Sequence, residues 1–232
     1  TAASVPTETP GDLSVSLWAT SDLLGDPIGI DMDDSGKAGV TVTSRSRNSE
    51  FDIRDVDDSW LIESMKWETV EDRRDFLHDE LAPEKSDQNE WLWDHNGDGN
   101  HDWTDLAVLN EEVWIVEDSS GDGFADRSQL YIRDFNSEVT DVAGTVLNHN
   151  GDVFIGVGPD MWRTSDTNGD GISDTKESIS HGYNVHIGFS GHGMSGATVG
   201  PDGRIYWGIG DMGFSVTDRD GNRWHYPNQG AI

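Results

Sequence analysis

Three glycine-containing loops carry the carboxylates whose spacing points most clearly to metal binding. Residues 94–105, 118–129 and 166–177 each place oxygen-bearing side chains at loop positions 1, 3, 5 and 9 and a glycine at position 6. Ca²⁺ takes about six to eight oxygen ligands, and the glycine lets the chain wrap around the ion. The predicted calcium ligands are Asp94, Asn96, Asp98, Asn100, Asp102, Asp105, Asp118, Ser120, Asp122, Phe124, Asp126, Asp166, Asn168, Asp170, Ile172, Asp174 and Glu177, with Asn100, Phe124 and Ile172 at position 7, where calcium loops use a backbone carbonyl.

The three loops differ at position 12, where a calcium loop uses a bidentate carboxylate. Asp105 and Glu177 fill that position in two loops, whereas the middle loop offers Gln129 and is predicted to bind more weakly. Asp-Gly and Asn-Gly pairs also form ordinary turns, so an isolated copy fits either interpretation. The shared spacing favours two to three calcium sites, and the β-type flanking segments predict structural staples rather than switches.

Three histidines lie within a dozen residues, separated by small residues: His181, His186 and His192. Neutral imidazole can act as a general base or as a metal ligand. Spacings of five and six residues fit neither a helix face nor a zinc finger. The segment predicts a loop whose histidines point into a common space.

Repeated hairpins are expected to position these groups. The turns Asn150-Gly151 and Asp202-Gly203 are each preceded by a short apolar strand and followed by β-branched and aromatic residues that end in Gly-x-Gly. Gly151 and Gly203 are 52 residues apart, close to the roughly 40 to 50 of one propeller blade. A weaker copy surrounds the turn at 34–36. The pattern predicts an all-β fold of the β-propeller type.

The region from about 44 to 139 does not fit a blade and is predicted to be an insertion. Within it, residues 69–81 predict a helix with a capping box of Thr69 and Asp72. Its tryptophans are expected to pack on the propeller while its acids face water. We expect residues 1–10 to form a flexible tail and 11–232 to form one domain.

The charged residues of the chain disfavour some classes of binding partner. Fifteen Lys and Arg against 45 Asp and Glu give a formal net charge of −30, which disfavours nucleic acid and anionic membrane surfaces. No apolar run reaches the roughly 20 residues needed to cross a bilayer. Cysteine is absent, so this chain carries neither disulfides nor thiolate-ligated clusters.

The segment 192–202, continuing through Ile205-Tyr206 and 209–213, resembles the catalytic-histidine segment of soluble quinoprotein glucose and sorbosone dehydrogenases. More closely, through the segments 50–54, 70–83, 138–144 and 160–183, the chain resembles the membrane-bound dehydrogenase propellers of large bacterial proteins of the PVC type, which are often fused to a c-type haem domain. The resemblance implies a six-bladed propeller, incomplete in this chain, with calcium and pyrroloquinoline quinone as cofactors. It also implies that His192 is the base that takes the substrate hydroxyl proton. Gly191 replaces the acid that precedes this histidine in the glucose enzymes.

Three functions remain open. The first is a quinone-dependent dehydrogenase of sugars or aldehydes that works in the periplasm or outside the cell, with a c-type cytochrome or another subunit as partner. The second is a non-catalytic, calcium-stabilised scaffold subunit of a larger extracytoplasmic complex. A calcium-dependent carbohydrate-binding module is a third possibility, favoured by the tryptophans alone.

Overall fold

The computed structural model describes residues 11, 13, 15–45 and 50–232, so the predicted tail at 1–10 lies outside the described residues. Within the described part, the chain forms twelve strands and a few helices. The strands are β1 (Pro27–Met32), β2 (Ala38–Thr43), β3 (Glu111–Glu117), β4 (Arg127–Asp134), β5 (Ala143–His149), β6 (Asp152–Val157), β7 (Asp160–Ser165), β8 (Thr175–His181), β9 (Met194–Val199), β10 (Ile205–Ile209), β11 (Phe214–Thr217) and β12 (Arg223–Tyr226). The α-helices are α1 (Asp58–Ser64) and α2 (Val70–Glu80), and 3₁₀ turns lie at Pro83–Gln88 and Trp103–Ala107.

All strand pairs are antiparallel and follow chain order. Strands β1 to β4 form one four-stranded sheet and β5 to β8 a second, while β9–β10 and β11–β12 form two two-stranded sheets. The first strands of successive sheets lie together, because β5 packs against β1 on one side and β9 on the other. The predicted all-β class is therefore confirmed. A closed ring is not among these features, and the six-bladed propeller stays a prediction.

The three predicted hairpins are present as β1–β2, β5–β6 and β9–β10. The turn between β5 and β6 needs two residues in the left-handed region, and Asn150 (φ 54°) and Gly151 (φ 85°) supply them. Asparagine and glycine tolerate that conformation best, and it matches the twist of the flanking strands. The Asn150-Gly151 turn predicted from the sequence therefore lies between the end of β5 and the start of β6.

The helices all lie in the connection between β2 and β3. Helix α2 begins after Thr69, whose hydroxyl accepts the amide N–H of Asp72, while the Asp72 side chain accepts the Thr69 amide. The predicted helix and its capping box are thus confirmed. Strands β3 and β4, which fall in the second half of the predicted insertion, complete the first sheet, so the excursion itself covers 44–110.

The excursion has an aromatic core that it shares with the histidine segment. Trp60 and Trp67 are buried in one cluster with Val185 and Ile187 of the histidine segment. A second cluster joins the first two sheets, and a third joins the second sheet to β9–β12. The histidine segment is therefore held between the helical excursion and the sheets.

Candidate functional site

His192 lies in a turn at one end of the β9–β10 hairpin. The residue before an antiparallel hairpin's first strand and the residue after its second strand lie at the same end. His192 precedes β9 and Asp211 follows β10, and His192 Nδ1 donates to Asp211 Oδ1 at 3.0 Å. Hairpin geometry alone thus pairs Asp211 with His192.

The close approach of the hairpin ends requires glycine. A Cβ added at Gly210 would lie 2.0 Å from the carbonyl oxygen of His192, so only glycine fits there. The His192 side chain is 52% exposed, and its ring lies 5.3 Å from that of Phe189. Because Nδ1–H donates to a carboxylate, Nε2 keeps a lone pair that can accept a proton from a bound hydroxyl.

The other two histidines have separate surroundings. His181 Nδ1 lies 2.9 Å from Asp160 Oδ1, and this hydrogen bond raises the pKa of His181 above its ordinary value. His186 is buried, its Nδ1–H donates to the Ser64 carbonyl, and burial lowers its pKa. The structure therefore does not bring the three histidines into one space.

Beneath the His192 turn lies a set of buried charged side chains that sequence reasoning missed. Arg45 is fully buried and donates through Nη1 and Nη2 to four backbone carbonyls, those of Leu106, Leu109, Ser137 and Thr140. These carbonyls belong to the helical excursion and to the loop before β5. Burial lowers the pKa of Arg45 to about 10. One guanidinium thus ties the excursion to the sheets.

Glu50 and Asp141 are also buried and lie next to the turn. The Ser190 hydroxyl donates to Glu50 Oε2 at 2.7 Å, and Asp141 accepts from the Asn184 side-chain amide. A Cβ added at Gly193 would lie 2.2 Å from Asp141 Oδ2, so a larger residue after His192 would have to displace that carboxyl group. The two carboxyl groups therefore contact the turn on both sides of His192.

Burial changes the ionisation of these acids. It raises the pKa of Glu50 to about 8, with the neighbouring Asp141 as the next cause. It also raises the pKa of Glu111 to about 7, although Glu111 accepts from the Thr43 hydroxyl and from the Ala143 amide. Desolvation outweighs these hydrogen bonds because a charged carboxylate loses more hydration than two donors restore.

The three predicted calcium loops share one backbone conformation. Position 1 in each loop is an aspartate whose carboxylate accepts the backbone N–H groups of positions 4 and 6. Positions 4 and 6 are glycines with φ between 74° and 92° in all three loops. Side chains at neighbouring odd positions also approach each other, such as Asn96 Nδ2 and Asp98 Oδ2 at 3.2 Å.

Two of the loops occupy equivalent places in the fold. The loop at 118–126 joins β3 to β4, and the loop at 166–174 joins β7 to β8, so each closes the outer hairpin of a four-stranded sheet. In both, the aspartate at position 9 accepts the N–H of position 2, as Asp126 does from Ser119 at 2.9 Å. In the first loop Asp105, at position 12, takes over that role.

The predicted ligand sets are assembled only in part. Glu177 lies in β8 opposite Arg163 and makes no hydrogen bond to its loop among the described residues. Across the described ranges, no group of three or more His, Asp or Glu side chains is arranged to hold a metal ion. The arrangement thus offers aspartate, amide and carbonyl oxygens in a wrapped loop, and calcium binding stays a prediction.

An apolar cleft lies away from His192. It has a volume of about 560 Å³ and is lined by residues of β10, β11 and β12, among them Trp207, Phe214 and Trp224. Neither His192 nor Asp211 lines it. The cleft and the candidate base therefore belong to different parts of the β9–β12 region.

The fold and the His192–Asp211 pair define an antiparallel all-β protein that presents a solvent-accessible histidine hydrogen-bonded to an aspartate. Residues 104–229 match a family described as a domain of unknown function, DUF7133. This match covers more than half of the chain, and the protein belongs to that family. No curated protein and no solved structure matches the chain.

The family match includes β3 to β12, the two equivalent acidic loops and His192. The helices α1 and α2 and the first two strands lie outside it. Across the described residues, no helix combines the length and the apolar character needed to span a lipid bilayer.

Proposed function

We propose that this domain is a dehydrogenase-type propeller segment in which His192 acts as the general base toward a sugar or aldehyde-hydrate hydroxyl. The hydrogen bond between His192 Nδ1 and Asp211 Oδ1 carries the proposal. It fixes the ring tautomer and leaves Nε2 free to accept the hydroxyl proton. The substrate class, a sugar or an aldehyde hydrate, is inferred from the resemblance of 192–213 to quinoprotein dehydrogenases.

Each neighbouring residue has a role in this proposal. Asp211 orients the imidazole and stabilises the imidazolium that forms when the proton arrives. Phe189 lies beside the imidazole, with the two ring centroids 5.3 Å apart. Gly193 lets the turn pass close to the buried Asp141 carboxyl group, and Gly191 takes the left-handed conformation of the turn at φ 82°. In this proposal Asp211 orients the imidazole and His192 accepts the proton.

Pyrroloquinoline quinone, when bound in enzymes of this kind, accepts the hydride that leaves the substrate carbon. It is a polyanion, so it needs cationic partners. Arg54 stacks on Phe189 at 5.3 Å, but its guanidinium is already paired with both oxygens of Asp52. The residues described around His192 thus fit a general base, but they do not supply the unpaired cations that would bind a quinone. No step of the proposal passes through the quinone.

The acidic loops are proposed to bind calcium as structural staples. A carboxylate oriented by two backbone N–H groups keeps further lone pairs for an ion, and the left-handed glycines wrap the chain around that point. The loops at 118–126 and 166–174 close equivalent hairpins, which suits a stabilising role. Extracytoplasmic calcium is high enough for weak sites of this kind.

The test is dye reduction by the domain with aldoses and aldehydes in the presence of calcium, run with added pyrroloquinoline quinone and in parallel without it, so that turnover is measured with either electron acceptor. We expect His192→Ala to abolish dye reduction, and Asp211→Asn to lower kcat about 10²-fold or more while leaving KM nearly unchanged. His181→Ala is the matched control and should retain activity, because His181 is hydrogen-bonded to Asp160 and not to the His192–Asp211 pair. Equal activity of the His192→Ala variant and the unmodified domain would refute the proposal.

The poor fit to a quinone favours a second candidate, the calcium-stabilised scaffold subunit of a larger extracytoplasmic complex. In that case His192→Ala has no effect on function, and the loops and the helical excursion carry the binding surface. Turnover in the assay above would contradict this candidate. A stable complex with a c-type cytochrome in the absence of turnover would support it.

A further inference from the structure

The apolar cleft has two walls, and each wall is one face of a β-hairpin. Every second side chain of β10 lines the first wall, and two cross-strand pairs of β11 and β12 line the second. These side chains are Ile205, Trp207 and Ile209 on the first wall, and Phe214, Val216, Trp224 and Tyr226 on the second. Alternate residues of a strand point to the same face of a sheet. Two apolar sheet faces therefore border one open space.

One edge of β10 is paired at a single residue. On its other side, β10 pairs with β9 along its whole length. At the open edge, the Ile209 N–H donates to the Ala231 carbonyl and the Ile209 carbonyl accepts the Ala231 N–H. Backbone groups of an antiparallel strand point alternately to the two sides, so those of Trp207 and Ile205 also face this edge. Within the described residues, neither of them makes a backbone hydrogen bond there.

The other two sheets show what lies at the equivalent edge. In them the second strand is an inner strand, since β2 lies between β1 and β3 and β6 lies between β5 and β7. Strand β9 packs against β5 as β5 packs against β1, so β10 corresponds to β2 and β6. The pairing of Ala231 with Ile209 is antiparallel, as are the pairs β2–β3 and β6–β7. The edge of β10 therefore has the geometry of an inner strand with room for one more antiparallel neighbour.

The side chains of β10 do not protect its edge. Outer strands in proteins commonly carry charged residues, which oppose the addition of a further strand. The outer strands β4 and β8 follow this rule with residues such as Arg133 and Lys176, whereas Ile205–Ile209 contains no charged residue. An uncharged edge beside an apolar cleft is a surface that a polypeptide strand can cover.

Charge indicates which kind of strand fits. The Tyr206 hydroxyl donates to Asp202 Oδ2, and Trp224 Nε1 donates to Asp218 Oδ2, so two aromatic residues of the cleft are held by carboxylates. Arg204 lies 3.6 Å from Asp202 and offsets part of this charge. The whole chain carries a formal net charge of −30. Electrostatic complementarity therefore favours a basic partner.

We propose that the cleft is a docking site for an extended, basic segment of a partner protein that adds to the free edge of β10 as an antiparallel strand. In the register of the Ala231–Ile209 pair, residues opposite Trp207 and Ile205 exchange backbone hydrogen bonds with them and place their side chains in the cleft. Backbone hydrogen bonds supply affinity in this mode of recognition, and the alternate side chains supply specificity. The site goes beyond the proposed function, because neither His192 nor Asp211 lines it.

A peptide of alternating lysine and valine, acetylated and amidated at its ends, tests the strand addition. We expect amide hydrogen exchange of Trp207 and Ile205 to slow about tenfold or more at saturating peptide, while the amides of β4 are unchanged. The same peptide with N-methylated valines cannot donate to the β10 carbonyls and should bind about tenfold more weakly or less. Unchanged exchange at Trp207 and Ile205, or equal binding of the two peptides, would overturn the proposal.

Two exposed tryptophans provide matched variants for locating the peptide. Trp224 lines the cleft and is 53% exposed, whereas Trp93 is 68% exposed and lies outside it. Calorimetry should show that Trp224→Ser weakens peptide binding about tenfold and that Trp93→Ser leaves it unchanged. Equal affinities of the two variants would overturn the cleft as the site. A dimer in sedimentation whose Trp207 amide is protected without peptide would place a second copy of this chain there and would also overturn it. Neither measurement needs turnover, so both are independent of the proposed function.

Discussion

Acidic side chains meet opposite environments in two regions of this molecule. Near the His192 turn, burial raises the pKa of Glu50 and Glu111. In the outer loops, Asp118 and Asp166 are accessible to solvent, and backbone N–H groups hold their pKa below the ordinary value. The difference shows that the placement of donors and water, rather than residue type, decides whether an acid keeps its charge.

The contrast also separates two kinds of structural role. The buried acids and arginines connect the helical excursion, the sheets and the His192 turn. The loop acids satisfy the amides of their own turn and leave other lone pairs facing solvent. We therefore expect changes in the buried region to affect global stability, and changes in the loops to act locally and through added ions.

The largest effect is expected from Arg45→Met. The change removes the donors for four buried carbonyls and a positive charge beside Glu111 and Asp141. We expect the free energy of unfolding to fall by about 3 to 5 kcal/mol in urea denaturation. Arg127→Met, at an exposed ion pair with Glu117, is the control and should cost under about 1 kcal/mol. Similar losses in both variants would remove the distinction between the two regions.

A smaller effect is expected from pH alone. The folded protein keeps the Glu50 and Glu111 protons up to about pH 8 and 7, whereas the unfolded chain releases them near 4.5. The native state therefore binds more protons in this window, and stability falls as pH rises from 5 to 8; the Glu111 share, two pH units between 5 and 7, is about 3 kcal/mol.

Other groups shape the same curve. The lowered pKa of Asp118 and Asp166 adds stability above their unfolded pKa that is lost as pH falls through the folded value. The raised pKa of His181 and the lowered pKa of His186 act with opposite signs near neutrality. Urea denaturation across pH measures the slope, which Glu111→Gln should reduce between pH 5 and 7. A slope of the opposite sign would contradict the buried-acid account.

The smallest effect is expected from calcium at the loops. Millimolar Ca²⁺ should raise the Tm by a few degrees and EGTA should reverse it, because an ion bound only by the folded loops stabilises them. Asp166→Asn should reduce the calcium-dependent part of the Tm more than Asp118→Asn, since the middle loop has Gln129 at position 12. Asp34→Asn, in a turn outside the loops, is the control. A Tm independent of EGTA would contradict the staples.

Local signals in the sequence predicted much of the fold. Asn150-Gly151 defined a hairpin because its backbone conformation excludes most other residues, and Thr69 with Asp72 defined a helix start through reciprocal hydrogen bonds. These features depend on residues close in sequence. The loop conformations also followed from spacing, since each aspartate at position 1 binds amides a few residues away.

Features that depend on distant residues were not predicted. The assignment of β3 and β4 to the first sheet depends on pairing across the excursion, where Thr43 meets Glu111. Nothing near Arg45 in the sequence indicates that it is buried, because the four carbonyls that accept its hydrogen bonds lie 61 to 95 residues away. The hydrogen bond from Ser190 to Glu50, across 140 residues, is equally remote. Charged residues that are buried through tertiary contacts leave no local pattern.

The pairing of Thr43 with Glu111 means that the chain leaves and re-enters the first sheet at adjacent points. The equivalent connection in the second sheet, between β6 and β7, is only Gly158-Pro159. A segment whose two ends already touch can be lengthened, shortened or exchanged without moving the strands that hold it. Residues 44–110 are thus a natural graft point, at which relatives of this domain can acquire a different accessory module while the sheets beneath stay the same.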